Sequence, residues 1–426
     1  MSMTKFERSR STPRKVLVGI PSKLSERMSG PGIRAWALAR ALSEFFEVTA
    51  ATTDPPAPSR DGIRLVPFTR PRLAREIVAH DAVISASVPP YLLPLAPSRP
   101  TLVVSDQYDP VDLEVATLQD PTQQRRAVAT NLALMDIQLR YADIVLFANS
   151  RQRERLEARL NTLARKDQPE LIELPFGVGP PPPPAQHRPL RERFAQVRPG
   201  DTVVLWWGAA WRWLDPLTAV RAFAGLADTR PDIKLVFTGA RTPTREVQAM
   251  NATEQARELA RELGLLEQTV LFWDDWVPFD RRHELLADAD IGLCLHGVTD
   301  EAHFSARIRY LDYLWAGLPC ILAEGDEISE RFAAHGFSTL VAPGSPAAVQ
   351  DAITHYADNP GSLAQAKIAG AALAAECRWE TLAKPLIDAL QNSRAKPRTA
   401  PALDITRYYT RRLQDKAATA IASHAR

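Results

Sequence analysis

The sequence predicts an α/β protein built as two parallel-sheet domains that face each other across a cleft. Three observations carry this. The 426 residues exceed one ordinary domain and suit two. Short apolar, β-branched runs alternate with helical patterns, the signature of a parallel sheet flanked by helices. Near the middle a proline run interrupts this alternation, which then begins again.

In the first half, KVLVGI (Lys15 to Ile20) reads as a strand. GIRAWALARALSEF follows, with Ile33, Trp36, Ala37, Ala41 and Phe45 close to helical spacing. EVTAAT, AVISAS, TLVVSD and DIVLFANS read as further buried strands, and RRAVATNLALMDIQLRYA as a helix. LPFGVGPPPPPAQHRPL contains five consecutive prolines, Pro180 to Pro184, which favour polyproline II and make a semi-rigid spacer. The boundary falls here. Residues 1–14 form a flexible basic N-terminus and 15–184 a first domain that ends in the proline linker.

The second domain spans 185–378. TVVLWWG, IKLVFTG, TVLFWDD, DIGLCLH and PCILAEG read as its strands; PLTAVRAFAGLADT, ATEQARELARELG, DRRHELLADA and IRYLDYLWAG read as its helices. A helix at 379–395 is expected to cross back to the first domain, leaving a basic tail at 396–426. Ligands of such sheets bind beyond the carboxyl ends of the strands, so the loops after LVGI, LVVS, LWWG and GLCLH are where chemistry belongs.

Composition excludes several classes. A 45% hydrophobic and 24% charged chain is globular, and a net charge of +2 gives no field that would demand nucleic acid. Cys294, Cys320 and Cys377 form no CxxC pair, so neither a zinc site nor a disulfide framework is expected, in keeping with a reducing cytoplasm. The polar start MSMTKFERSRSTPRK lacks the apolar core of a secretory signal, and no run reaches the roughly 20 apolar residues of a membrane span. From Ser393 onward, eight Lys/Arg face two Asp. That tail suits either a solvated helix or a peripheral contact with an anionic membrane.

Candidate site residues follow from the loops. SGPGIRAW places Gly30, Gly32 and Ala35 in a G-x-G-x-x-G/A pattern, with Asp54 further on at roughly the acid spacing of a dinucleotide site. However, nine residues separate Ile20 from Gly30, where a dinucleotide fingerprint turns directly after its strand. Three readings stand: a loop over a phosphorylated or sugar ligand, a simple helix entry, or a dinucleotide site. In the second half, Gly208 permits close approach, and Arg212 lies where an anion would meet the next helix. Trp206, Trp207, Trp211 and Trp213 read as core or lining, and Trp276 with Pro278 offers a flat seat for a nucleobase. His283 and His296 read as structural, and no pair has metal-ligand spacing. HFSARIRYLDYLWAGLPCIL sets Arg307, Arg309 and Asp312 in an otherwise apolar helix. These charges need partners or a ligand; Arg309 and Asp312, three apart, share a face and suit a salt bridge.

Taken in order, these motifs resemble those of GT-B-fold glycosyltransferases of the family-4-like, group 1 type. GPGIRAWALARAL is similar to the family's glycine loop and first helix, and WWGAAWRWLDPL to the opening of its second domain. DWVPFDRRHELLADADIGLCLH and LDYLWAGLPCIL match its later motifs, while VVSDQYDPVDLE and NSRQRERLEARL resemble a subgroup. The resemblance covers roughly residues 15 to 390. It implies two Rossmann-like domains, the second binding a nucleotide-diphosphate sugar donor and the first a sugar, glycolipid or glycan acceptor. It implies transfer with retention of configuration and no required metal or other cofactor. Asp312 would contact the ribose, Arg212 the diphosphate, and Arg307 or Arg309 would add charge at the helix end. Asp106 or Asp109 would orient the acceptor hydroxyl. The chain departs from the family pattern in three places: Phe304 stands eight residues before Asp312, Ala209 follows Gly208, and Asp106 and Asp109 replace a first-domain histidine. The alternatives are a catalytically impaired sugar-nucleotide-binding protein of the same fold, a GT-B-type epimerase, or a dinucleotide oxidoreductase.

Overall fold

The computed structural model describes residues 14–395 except 21, 25–27, 54, 56, 87–91, 93–100, 164, 166, 240–251 and 276, together with 405–406, 408–410 and 412–413. The strands of the first lobe are β1 (Lys15–Ile20), β2 (Glu47–Thr52), β3 (Ser59–Arg60), β4 (Ile63–Pro67), β5 (Ala82–Ser85), β6 (Leu102–Asp106), β7 (Ile144–Phe147) and β8 (Glu170–Glu173). They form one sheet in the order β3-β4-β2-β1-β5-β6-β7-β8. All pairs are parallel except β3 with β4. The turn joining those two uses Asp61 (φ 51°) and Gly62 (φ 78°), both left-handed, as a two-residue hairpin requires.

The second lobe contains β9 (Thr202–Trp206), β10 (Ile233–Thr238), β11 (Val270–Trp273), β12 (Ile291–Cys294), β13 (Cys320–Ala323) and β14 (Ser338–Val341). Their order, β11-β10-β9-β12-β13-β14, is that of a doubly wound sheet, with the reversal between β9 and β12. In the first lobe the reversal lies between β1 and β5. The glycine helix follows β1 and the WWGAAW loop follows β9, so each opens at a switch point.

The strands with continuous apolar runs are buried over nearly their whole length, as sheets covered on both faces require. The expected strands and helices all form, with ends shifted by a few residues. Sequence reading missed β3, β4, β8 and β14, together with the helices Arg70–Ala79, Ser150–Thr162, Glu327–Ala334, Pro346–Asp358 and Pro360–Glu376 and several single helical turns. Three of those strands are sheet edges, short and carrying polar residues such as Glu170 and Glu173, so their apolar signal is weak.

The chain passes between the lobes twice. The first crossing, after β8, runs through the proline segment to the helix Pro189–Arg193, whose Leu190 amide donates to Asp288 of the second lobe (2.8 Å). The second, at Cys377–Trp379, lies beside the first. Val178 N–H donates to Cys377 O (2.7 Å), and Trp379 N–H donates to Val178 O (3.3 Å). Beyond the helix Lys384–Asn392, Arg14 of the first lobe donates to Ser393 O (3.2 Å). Tyr408, from the expected basic tail, is buried in the first-lobe core with Leu17 and Ile77. Most of that tail and residues 1–13 lie outside the described residues. Among the described residues, no helix is long and apolar enough to cross a membrane.

Candidate active site

At its switch point the second lobe brings a glycine turn and a guanidinium together. Gly208, just after β9, has φ +77°, a conformation that strains any side-chain-bearing residue. Its N–H donates to Thr238 Oγ1 (3.0 Å). Arg309, in the first turn of the helix Ile308–Ala316, reaches this loop and donates from Nη2 to Ala209 O (2.7 Å). Its Nη1 is buried and makes no hydrogen bond. A buried cationic N–H without an acceptor is costly, and it lies at the positive end of a helix dipole. That helix stops at Gly317 (φ +65°), as the Ala-Gly-Leu-Pro sequence predicts.

Arg307 behaves differently. It caps the same helix but is buried, with both terminal nitrogens on Glu301 (3.0 and 2.9 Å). Asp312 does not pair with Arg309. Its two oxygens accept from Trp207 Nε1 (2.9 Å) and Arg282 Nε (3.2 Å). Arg282 lies between the rings of Phe279 and Trp315, with its guanidinium carbon 3.7 and 3.9 Å from their centres. Asp312 therefore sits in a fixed aromatic frame, on the wall of a groove of about 440 Å³ that Trp36 also lines.

Arg212 is half-buried in the turn between Trp211 and Leu214. The turn is fixed to β12's exit: Leu214 bridges His296, and Asp215 N–H donates to Leu295 O (2.8 Å). Asp215 then caps the helix Pro216–Leu226 through Thr218 (2.9 Å to its N–H). Trp211 and Trp213 stack with centroids 5.5 Å apart, while Trp206 is core. Trp276 lies outside the described residues. His296 is buried against Asp326 (3.1 Å) and His283 is near Asp280 O (3.0 Å); among the described residues no cluster suits a metal ion.

On the first lobe, both oxygens of Asp106 accept from Arg34 (2.8 and 2.9 Å). Arg34 is fully buried, between Tyr108 and Phe176, and also donates to Leu174 O (3.0 Å). The pair thus anchors the start of the first crossing. Asp109 is held otherwise. Burial, reinforced by Glu301 across the lobe boundary, raises its carboxyl to about 7. Burial and Asp109 also push Glu114 well above the carboxylate range, and the two carboxyls share a hydrogen bond that needs a proton on one of them. Gly30 and Gly32 have no left-handed φ; they are small because the lobes and loop pack closely. A Cβ on Gly30 would lie 2.6 Å from Ile308 Cδ1, and one on Gly32 2.6 Å from Ser22 Oγ.

The charged groups thus fall into two clusters: Arg309 at the Gly208–Ala209 turn of the second lobe, and Asp109 with Glu114 on the first, felt by Glu301, which Arg307 pairs. No family model matches the chain, and no curated protein does. Solved structures do. Sucrose-phosphate synthase from Thermosynechococcus elongatus superposes with a TM-score of 0.66 at 16% identity, over 89% of this chain and 98% of that one. WaaG, a glycosyltransferase involved in lipopolysaccharide biosynthesis, gives 0.62 at 16% over 89% and 100%. The fold is GT-B. HepE of Anabaena, in complex with UDP-glucose, gives 0.62 at 15% over 89% and 100%, so this GT-B chain spans the full length of its neighbours.

Sequence reasoning missed Arg34, Glu114 and Glu301. The signal for Arg34 was present: an arginine inside the apolar helix GIRAWALARAL poses the same question as Arg307. Glu114 and Glu301 had no local signal, because their cluster joins segments far apart in the chain.

Proposed function

We propose that the chain transfers a sugar from a nucleotide-diphosphate sugar to an acceptor hydroxyl, in glycan, glycolipid or glycoconjugate biosynthesis. The observation that carries this is the unsatisfied Nη1 of Arg309 beside the Gly208 turn, at the switch point of a GT-B second lobe. A diphosphate oxygen would satisfy it, and the HepE complex supports a nucleotide sugar as the class of ligand. In this reading Arg309 and Arg212 hold the diphosphate, the Gly208 turn, whose N–H is tied to Thr238 Oγ1, gives it room to approach, Asp312 holds the ribose, and Trp276 the base. Negative charge grows on the diphosphate as the anomeric C–O bond breaks, so a preorganised guanidinium and helix N-terminus stabilise the transition state above the ground state. Gly30 and Gly32 open a helix rather than lie in a free loop, with Gly30 against Ile308 of the second lobe; closure of the lobes about the proline joint excludes water from the donor. Asp109 orients the acceptor hydroxyl, while Asp106 acts through Arg34. Arg307 positions Glu301. By resemblance the configuration is retained without a metal; the cysteine usage suits the cytoplasm, and the basic tail suits a solvated helix first and a peripheral membrane contact second.

The test is a thermal-shift titration with UDP, GDP and ADP, since a ligand of the folded state raises Tm. At least one should raise it in the wild type, and Arg309→Ala should need a markedly higher concentration for the same rise. If none raises it in the wild type, the proposal fails. A second reading, binding without transfer, is favoured by Arg307 and Asp312 being already paired within the protein. Release of nucleoside diphosphate on adding acceptor separates the two, and sugar products formed without acceptor would reveal an epimerase.

A further inference from the structure

Beside Asp109, the first lobe contains a hollow of about 250 Å³, between the residues after β6 and the helix Pro121–Tyr141. No Lys, Arg or His is among the described residues that line it. The guanidinium groups around it are already neutralised: Arg34 by Asp106, Arg155 by Asp112 and Arg307 by Glu301. What the hollow offers instead is oxygen acceptors. Asp112 is 4% exposed, and its Oδ1 has no hydrogen-bond partner although its Oδ2 is held by Arg155. Gln138 is buried and turns one N–H inward to Ala86 O (2.8 Å). Leu134 and Met135 supply an apolar wall.

We infer that this hollow is the acceptor subsite and takes an uncharged, polyhydroxylated ring with an apolar face, excluding phosphorylated sugars. The inference rests on the glycosyl-transfer reading. Hydroxyl groups can donate to Asp112 Oδ1, which otherwise remains buried and unsatisfied. Among the described residues that line it, a phosphate would meet carboxylates and no cation, the arrangement that rejects a ligand by like charge. Carbon–hydrogen faces of a sugar ring fit the Leu134–Met135 wall.

The experiment uses the full chain and follows nucleoside diphosphate release from UDP-glucose, GDP-mannose and ADP-glucose. Methyl and octyl glucosides, galactosides and mannosides are compared with glucose 6-phosphate and fructose 6-phosphate at equal concentration. The expected result is at least about tenfold greater stimulation by an uncharged glycoside, equivalent to 1.4 kcal/mol of discrimination. Val111→Arg, at the 38% exposed rim, should narrow that gap by adding a cation. Asn131→Trp, which fills the hollow, should abolish stimulation while the nucleotide-induced rise in Tm persists. Phosphosugars stimulating as well as glycosides, stimulation surviving Asn131→Trp, or no stimulation by either class in a chain that binds nucleotide would each overturn the inference. Absence of any nucleotide shift defeats the transfer reading first, and this inference with it.

Discussion

Gly30 and Ile308, each the first residue of a helix in opposite lobes, touch so closely that a Cβ on Gly30 would lie 2.6 Å from Ile308 Cδ1. The backbone of Gly30 does not demand glycine; the neighbouring lobe does. The nearest atom is the tip of a flexible side chain, so alanine can be accommodated by rotation of Ile308. Valine cannot, and should wedge the lobes apart. Gly30→Val is expected to raise the radius of gyration in X-ray scattering and to lower kcat/KM by on the order of 10²-fold, the scale of a misplacement of about 1 Å, with little change in Tm. Unchanged scattering would mean that the contact is not maintained in solution.

Arg309 and Arg307 separate function from stability. Arg309→Ala should weaken nucleoside-diphosphate binding by about 1.5–3 kcal/mol, with Arg309→Lys recovering part of it. Arg212→Ala should show a loss of the same size. Arg307→Ala would leave Glu301 buried without its counter-charge and should cost about 3–5 kcal/mol of folding stability. Calorimetric titration and urea unfolding distinguish the outcomes.

The Asp109 carboxyl sets a pH dependence. It titrates at about 7 in the folded chain and at the ordinary 3.8 when unfolded. Between those values the folded chain holds a proton that the unfolded chain has lost, so stability should fall as pH rises from about 4 to about 7. Asp109→Asn should flatten that slope, seen as Tm against pH. An equally steep wild-type and variant profile would place the titration elsewhere.

A second contact joins the lobes at their surface. Glu327 accepts from Ser150 Oγ (2.7 Å) at the start of the helix Ser150–Thr162, and Arg151 pairs with Glu330 (2.7 Å) and donates to Gly325 O (2.8 Å). Such exposed pairs are worth little. A double-mutant cycle on Arg151 and Glu330 should give a coupling of about 0.2–1 kcal/mol that fades in high salt.

The fold was legible because buried parallel strands announce themselves: KVLVGI, TVVLWW and IKLVFT are apolar throughout. Edge strands such as β8 and β14 were not, since half of their residues serve solvent or neighbours. The proposed site is marked in the sequence where one loop carries it, as at Gly208, and where an odd charge interrupts a helix, as at Arg309. The partners of those charges are not. Arg309 and Asp312 have the spacing of a salt bridge, yet Asp312 is taken by Arg282, which the aromatic rings of Phe279 and Trp315 orient first. Side-chain choice among several local partners is decided by tertiary packing, which one-dimensional spacing does not record.

The paired crossings at Val178 and Arg378 bear on how substrate enters. One flexible tether would let the lobes wander through many mutual orientations. Two connectors hydrogen-bonded edge to edge, with Gly177 packed so closely on Trp379 that an added Cβ would sit 2.7 Å from its ring, act as a spine. Any parting of the lobes is then expected to follow a hinge about these connectors, like the covers of a book. Reclosing along one arc would return both halves of the proposed site to register without a search.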